Sequence, residues 1–163
     1  MSILLTALAG LVLFIVVVAA AWILGMRAKW PPVLDAQRWV NQHLLNPRQM
    51  RSAGTPGAYA GIVRHVGRRS GRAYETPVVP MATEDGFVIV LPYGTRPDWV
   101  RNVLAADRAE IVEEGETVVV EAPELTTIDA APYEFPPKEM RTMRAFGNTQ
   151  CLVVRRSAST PAT

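Results

Sequence analysis

The N-terminal part of the chain is almost uniformly apolar. Residues 1–26 carry no charged side chain, and most of them belong to the run "ILLTALAGLVLFIVVVAAAWIL". At about 1.5 Å of rise per residue, roughly 20 helical residues span the ~30 Å hydrocarbon core of a bilayer. Trp22 and Trp30 lie where an interfacial aromatic belt is expected. The pattern predicts a transmembrane anchor over residues 1–26.

A cleaved signal peptide is the alternative for this segment. Residues 19–21 are three alanines that could resemble a cleavage site, but no basic n-region precedes the apolar run, which is also long for a signal peptide. These flanks favour the anchor. Arg27 and Lys29 follow the apolar run at once, so the positive-inside rule predicts a single-pass protein of the cell membrane with its body in the cytoplasm.

Residues 27–57 form a basic juxtamembrane segment. Pro31 and Pro32 can open a helix, which Asn46-Pro47 then closes. Apolar residues recur between them at helical spacing, which predicts a short amphipathic helix packed on the following domain; an interfacial membrane helix is the alternative. Residues 51–57, "RSAGTPG", have loop composition. The apolar positions on which the helix prediction rests are Val33, Ala36, Val40 and Leu44.

Residues 58–156 show short runs of strand-forming residues with two helical patterns among them. Most of the runs are joined as hairpins, for example across Glu84-Asp85-Gly86 and around Gly115. About six strands with interposed helices predict an α+β, mainly β domain with a small barrel. Residues 157–163 are predicted to be a disordered tail. The predicted strands are 59–66, 76–83, 87–91, 111–113, 117–121 and "QCLVVRR"; the predicted helices are "PDWVRNVLAAD" and "PPKEMRTMRAFG", the second with Met140, Met143 and Phe146 facing inward.

Composition excludes several kinds of site. The single cysteine, Cys151, cannot form an internal disulfide, and no cysteine cluster is available for zinc. The two histidines, His43 and His65, lie far apart and lack metal-ligand spacing. The sequence therefore predicts no metal site.

Charge is distributed unevenly along the chain. Residues 27–72 contain nine basic residues and one acid, for a net charge of +8, whereas residues 73–163 contain eight bases and fourteen acids, for −6. A basic block beside a membrane span suits an anionic leaflet. Four arginines, however, lie further along the chain and need a separate explanation; they are Arg64, Arg68, Arg69 and Arg72.

The loop "GRRSGR" at residues 67–72 has the chemistry of an anion site. Glycines permit close backbone approach, serine donates a hydroxyl bond, and arginine forks match oxyanions. A solvated basic turn is the alternative. Nucleic acid is not expected, because no interleaved aromatics or nucleic-acid module accompany the loop.

The order "GRRSGRAYETPVVP", hairpin, "FVIVLPYG" and "DWVRNVLAADRAEI" resembles the deazaflavin (coenzyme F420)-dependent nitroreductase and quinone reductase family. The resemblance runs from about residue 63 to 120, and loosely to the end. It implies a split β-barrel over residues 58–156 that binds the 8-hydroxy-5-deazaflavin coenzyme, whose tail is polyanionic. The loop arginines then resemble the clamp for this tail.

The resemblance also implies cofactor-binding residues. Arg68, Arg69, Ser70 and Gly71 match the phosphate loop, and Thr76 with Pro77 match the segment that lines the ring. Tyr74 takes the place of a basic residue of many relatives, and the loop "YGTRPDW" is short and includes Asp98; Arg72 and Arg96 could compensate for both. The remaining matches are Pro92, Tyr93 and Gly94 at a strand end, and Trp99 and Asn102 on the next helix, for which a core anchor and a helix-surface residue are the alternatives.

The implied activity is hydride transfer from the reduced coenzyme to a nitro-type acceptor or a quinone, for which the anchor favours a membrane quinone. The catalytic residues stay unassigned; water, Tyr93 and His65 are candidate proton donors. Two alternatives stay open: an anchored binding or accessory protein that has lost the coenzyme, and the same barrel binding FMN or haem. A homo-oligomer is possible, because a long exposed sheet edge would need a partner to close it.

Overall fold

The computed structural model describes residues 2–40 and 46–158. His43 and Leu44, and most of the predicted tail, lie outside these ranges. The helices are α1 (Ser2–Arg27), α2 (Pro31–Val40), α3 (Asn46–Gln49), α4 (Asp98–Ala106) and α5 (Pro137–Ala145). The strands are β1 (Gly61–Val66), β2 (Ala73–Val78), β3 (Pro80–Ala82), β4 (Gly86–Val90), β5 (Arg108–Glu113), β6 (Glu116–Thr127) and β7 (Gln150–Arg156).

The seven strands form one curled antiparallel half-barrel in the order β2-β1-β5-β6-β7-β4-β3. The α+β split-barrel prediction is confirmed, but the strand count differs by one. The predicted strand over residues 76–83 is two strands, because the chain leaves β2 at Val79 and enters β3 at Pro80. Since β2 and β3 are the two outer strands of the sheet, this single residue carries the chain from one edge to the other.

Both faces of the sheet are covered, because alternate residues of the central strands point to opposite sides. On one side Phe87 and Ile89 of β4 pack with Val100 and Val103 of α4. On the other side Val88 and Cys151 pack with Ile128 and Phe135, and Met140 and Met143 of α5 lie against them, as predicted. Phe146 is half-buried at the C-terminal cap of α5. The helix α4 on the first side begins at the site described below.

The hairpin predicted around Gly115 is longer than the sequence indicated. Glu114 and Gly115 both have positive φ, of 52° and 82°, as a two-residue type I′ turn requires. β6 then runs on to Thr127, past a register shift between Glu121 and Glu124. Its second half pairs with β7, so the extra length comes from tertiary pairing that the local pattern does not encode.

Helix α1 leaves its apolar side chains exposed, and its length and composition are sufficient to cross a membrane; a signal sequence has the same properties. Its C-terminal turn contacts α2, where Met26 packs with Val33 and Leu34, and Tyr93 lies against them. Packing of α2 on the domain is therefore present, and Val33 is buried as its place in the apolar pattern predicted. Ala36 is exposed and Leu34 is buried, because the buried side of α2 packs against Met26 of α1 and Tyr93 of the domain.

Candidate functional site

A cavity of about 740 Å³ lies at one end of the sheet, between β1, β2, the loop that joins them and the start of α4. Its wall combines backbone, aromatic rings and charged side chains from both halves of the resembling segment. The lining residues are Asn46, His65, Gly67, Arg68, Arg69, Ser70, Tyr74, Glu75, Thr76, Pro77, Tyr93, Arg96, Pro97, Asp98, Trp99 and Asn102.

The β1–β2 loop is tightly closed on itself. The Gly67 N–H donates to the Arg72 carbonyl and the Gly71 N–H donates to the Gly67 carbonyl, each at 2.8 Å. Gly71 has a φ of 66°, a conformation that glycine adopts without steric cost. The Ser70 hydroxyl lies 3.2 Å from the Tyr74 hydroxyl, so the loop folds back over the first residues of β2.

Arg68 joins this loop to α4. Its backbone N–H and its guanidinium donate to Asn102 Oδ1 at 3.1 and 2.9 Å. The same guanidinium forms an ion pair with Asp98 at 2.9 Å, in which the Asp98 side chain is largely exposed. Because exposed ion pairs contribute little, the bonds to buried Asn102 are the ones that fix the loop against the helix.

His65 lies beneath the loop and is buried. Its Nδ1 is 3.2 Å from Asn102 Nδ2, and its Nε2 is 3.3 Å from Thr76 Oγ1. The ring stacks on Tyr74, with 5.7 Å between centroids and 18° between planes. Burial lowers the pKa of His65 from its ordinary value, and the Asp98 carboxylate opposes this shift.

Three further arginines lie at or near the cavity: Arg69 and Arg96 line it, and Arg72 is the last residue of the β1–β2 loop. Arg69, Arg72 and Arg96 are exposed, and within residues 2–40 and 46–158 none of the three pairs with a carboxylate. Arg64 differs, because it bonds to Glu75 at 2.8 Å and lies 3.8 Å from Glu110. The unpaired guanidinium groups give this end of the molecule a positive potential that suits an anion.

The structure brings most of the predicted binding residues to one place. Gly71 shapes the loop without lining the cavity, and Gly94 lies in the turn after β4, where its N–H donates to the Leu91 carbonyl. The Pro92 carbonyl accepts a bond from Lys29 Nζ at 3.2 Å and so faces the juxtamembrane segment. The predicted residues that line the cavity are Arg68, Arg69, Ser70, Tyr74, Thr76, Pro77, Tyr93, Trp99 and Asn102. Their binding roles stay predictions.

The burial of Trp99 and Asn102 bears on the alternatives considered for them from the sequence. Trp99 is half-buried against the core and lines the cavity as well. Asn102 is buried, so the surface position considered from the sequence is wrong. Asn46, Glu75 and Pro97 also line the cavity but were not predicted to do so. Glu75 and Pro97 lie inside the quoted segments, whereas Asn46 lies outside them. In the part of the chain that the structure describes, no cluster of side chains suits a metal ion.

This chain has similarities to a protein family and to several solved structures. A search of curated proteins found no match. A solved structure described as an F420 reductase is 13% identical, covering 66% of this chain and 92% of its own, with a TM-score of 0.41. The haem storage protein HutZ from Vibrio cholerae is 9% identical over 62% of this chain and 83% of its own, with a TM-score of 0.40.

A conserved hypothetical protein from Mycobacterium tuberculosis is 14% identical over 62% of this chain and 75% of its own, with a TM-score of 0.42. The family model described as F420H(2)-dependent quinone reductase matches residues 47–156. That range extends from α3 to the last residue of β7 and includes all the lining residues except Asn46. The chain belongs to the F420H(2)-dependent quinone reductase family.

Proposed function

We propose that this protein is a membrane-anchored reductase that uses a reduced deazaflavin coenzyme to reduce a membrane quinone. The observation that carries the proposal is the cavity at the β1–β2 loop. Family membership implies the coenzyme. Nine of the twelve residues that the resemblance predicted line one cavity together with Arg96, and neither Arg69 nor Arg96 pairs with an acid in the described ranges.

The cavity suits a ligand with a flat ring and an anionic tail. Its volume of about 740 Å³ falls within the range of roughly 300–1,000 Å³ of small-molecule pockets. Tyr93, Trp99 and Pro77 offer apolar surface for a ring. Arg69 and Arg96 line the cavity and Arg72 lies in the same loop as Arg69. All three are available to a polyanionic tail, because no acid pairs with them in the described ranges.

Arg68 holds a different position from the other loop arginines. Its guanidinium already bonds to Asn102 and Asp98, so we assign tail binding mainly to Arg69 and Arg72. Tyr74, which replaces a basic residue of many relatives, stacks on His65 and lines the cavity. The loss of that charge is offset by the neighbouring free arginines.

The contacts of α1 support an anchor that stays attached. Arg27 Nη1 donates to the Arg144 and Ala145 carbonyls at 3.5 and 3.4 Å, and Lys29 Nζ donates to the Pro92 carbonyl. These bonds join the end of the apolar helix to the domain beside Tyr93, which lines the cavity. A quinone dissolved in the bilayer would then have a short path to the site.

When bound, the reduced deazaflavin supplies a hydride for the acceptor. The chain's own task is to hold the two ligands together and to exclude water from the apolar part of the cavity. Tyr93 is half-buried and lines the cavity, and its hydroxyl is the candidate proton donor. A nitro-type acceptor would bind in the same cavity but enter it from solvent.

Haem or FMN in place of the deazaflavin is the second candidate. Both ring nitrogens of His65 are already hydrogen-bonded, so His65 would have to break a bond to ligate haem iron. An anchored accessory protein without a coenzyme is the third candidate. The absorption spectrum of the purified protein separates a haem or FMN protein from both others.

The test is a fluorescence titration of the oxidised deazaflavin coenzyme with the full-length protein in lipid nanodiscs, at low and high salt. We expect micromolar binding that salt weakens, because the tail contacts are largely ionic. Arg69→Ala/Arg72→Ala should raise Kd at least tenfold. Arg108→Ala/Arg141→Ala removes the same charge at exposed positions outside the cavity and is the matched control.

Reduced coenzyme should then be oxidised faster by a lipid-soluble quinone in the nanodisc than by a water-soluble analogue. Absence of coenzyme binding by a folded protein would leave the accessory protein as the better account. Equal loss of affinity in both double variants would instead show that the loop has no special role.

A further inference from the structure

Four side chains of the cavity wall form a continuous hydrogen-bonded chain. It runs from Arg68 to Asn102, from Asn102 to His65, and from His65 to Thr76, with donor–acceptor distances of 2.9–3.3 Å. Thr76 and His65 both line the cavity. The direction of each bond follows from the chemistry of the groups.

Arg68 fixes the orientation of the Asn102 amide. Asn102 Oδ1 receives two N–H groups from Arg68, one from the backbone and one from the guanidinium. Arginine has no acceptor, so the atom that it contacts must be the amide oxygen. Turning the amide over would replace both bonds by contacts between N–H groups. The Nδ2 group therefore points at His65.

Asn102 in turn fixes the tautomer of His65. Because Nδ2 can only donate, His65 Nδ1 must accept and carries no proton. The neutral ring then holds its proton on Nε2, which donates to Thr76 Oγ1 at 3.3 Å. A second proton on Nδ1 would face the Asn102 N–H directly.

The surroundings of His65 agree with a neutral ring. The charged groups near it are Asp98, which favours protonation, and the Arg68 guanidinium, which lies on the other side of Asn102. Tyr74 stacks on its face. Burial outweighs the Asp98 carboxylate and keeps the pKa of His65 below its ordinary value.

Thr76 is the last residue of this hydrogen-bonded series. Its hydroxyl oxygen accepts from His65, and the hydroxyl hydrogen has no acceptor among the described residues. We propose that Arg68, Asn102 and His65 act as positioning residues that aim the Thr76 hydroxyl into the cavity as a hydrogen-bond donor to the bound ligand. The ligand atom that it contacts must carry a free lone pair, such as a carbonyl oxygen or a ring imine nitrogen.

The same geometry removes His65 from proton transfer. If the Nε2 proton moved towards Thr76, Nδ1 could not be reprotonated, because its partner Asn102 is an amide with no proton to give. The ring would be left as an imidazolate in a buried site, which is costly. His65 is a positioning residue here and not the proton donor considered from the sequence. That the ligand is the deazaflavin coenzyme rests on the proposed function.

The tautomer is tested without any ligand. Nitrogen-15 NMR of the histidine rings in the full-length protein, with His43→Gln to remove the second histidine, reports which ring nitrogen is protonated. We expect an unprotonated Nδ1 and a protonated Nε2 in the wild type, and titration of His65 at a lower pH than that of an unperturbed histidine. In Asn102→Asp a carboxylate oxygen replaces the amide N–H that faces Nδ1. Nδ1 should then carry a proton, and His65 should titrate at a higher pH.

The hydroxyl is tested by coenzyme titration of Thr76→Val and Thr76→Ser. The valine variant keeps the side-chain shape and should raise Kd roughly 5- to 10-fold, as expected for the loss of one hydrogen bond. The serine variant keeps the hydroxyl and should restore binding. If Thr76 had only a structural role, the valine variant, which keeps the side-chain shape, would bind the coenzyme as well as the serine variant.

The two readouts separate the possible failures. A wild-type His65 protonated on Nδ1 overturns the positioning chain, whether or not the coenzyme binds. Equal affinities of the valine variant and the wild type overturn the donor role of Thr76. If the wild type does not bind the coenzyme, the proposed function fails, and the NMR result still decides the positioning chain.

Discussion

At Gly86 the sheet leaves no room for a side chain. A Cβ atom there would collide with the Val154 carbonyl oxygen and would lie 2.8 Å from Arg155 Cα. Both atoms are backbone of β7, with which Gly86 pairs directly. A glycine at this position is therefore required by the approach of two strands and not by the turn that precedes it.

Gly86→Ala should destabilise the protein by about 1–3 kcal/mol or more, because backbone cannot move aside as a side chain can. The measurement is the free energy of unfolding in denaturant, followed by tryptophan fluorescence. Ala82→Ser, which adds one atom at an exposed position of the same hairpin, is the matched control. Equal stability of both variants would contradict the packing seen at Gly86.

At Gly67, in contrast to Gly86, an added Cβ would meet side chains and not backbone. A Cβ there would lie 2.5 Å from Ser70 Oγ and 2.7 Å from Tyr74 Cε2, which are side-chain atoms that can shift. Gly67→Ala should leave the free energy of unfolding within about 1 kcal/mol of the wild type. It should weaken coenzyme binding, because Tyr74 would move into the cavity. An unfolding curve checks the expected stability, and a coenzyme titration checks the expected loss of affinity.

His65 predicts a dependence of stability on pH. Its pKa is lowered in the folded protein, so between that value and the unfolded pKa of about 6.5 the unfolded chain binds more protons. Its contribution to stability is fully present above pH ~6.5 and is lost as the pH falls towards the folded pKa. Unfolding free energies at pH 7.5 and 5.5 should fall more in the wild type than in His65→Asn; parallel falls would contradict the prediction.

At the scale of elements, the junction between α1, α2 and the domain is a separate small cluster. Met26, Val33, Leu34 and Tyr93 pack there, apart from the two clusters on the faces of the sheet. Gly25 allows this approach, since a Cβ at that position would lie 2.7 Å from Val33 Cγ2. The orientation of the apolar helix relative to the cavity thus depends on a few contacts.

Leu34→Ala should loosen this junction without unfolding the sheet. Leu34 is 3% exposed, and truncation of a buried leucine typically costs about 2–5 kcal/mol. Because the cluster is separate, hydrogen exchange should accelerate in α2 and the last turn of α1 while β4 and β7 stay protected. Ala36→Ser, at an exposed position of the same helix, is the control. Uniform acceleration across the sheet would show that the cluster belongs to the core.

At the scale of the whole molecule, the cytoplasmic location predicted from the sequence has a cysteine-labelling test. Cys151 is fully buried, and burial raises the pKa of its thiol to about 11, so it should not react with maleimides. Glu84→Cys places an accessible thiol on the exposed β3–β4 hairpin. A membrane-impermeant maleimide should label this variant only after the cells are opened.

Labelling of intact cells would place the domain outside and contradict the charge argument. Recovery of the Glu84→Cys variant in the soluble fraction, with an N-terminus beyond residue 21, would indicate a cleaved signal peptide instead. Both results are read from the same samples by fractionation and mass spectrometry.

The sequence alone was sufficient for the features that depend on local pattern. The apolar run, the hairpins and the helices α4 and α5 follow from hydrophobic period and turn residues, and the ordered motifs indicated the family and most of the cavity wall. Short-range physics dominates these features, because a turn glycine or an amphipathic face acts within a few residues of itself.

Tertiary structure decided what depends on residues distant in the chain. The crossing at Val79 from one sheet edge to the other, and the second half of β6, arise from pairing that no local window contains. A surface position stayed open as the alternative for Asn102, because its burial depends on Arg68 and His65, over thirty residues earlier. The tautomer of His65 and the aim of the Thr76 hydroxyl are set by that contact, because hydrogen bonds are decided by the atoms that folding brings within about 3 Å of each other.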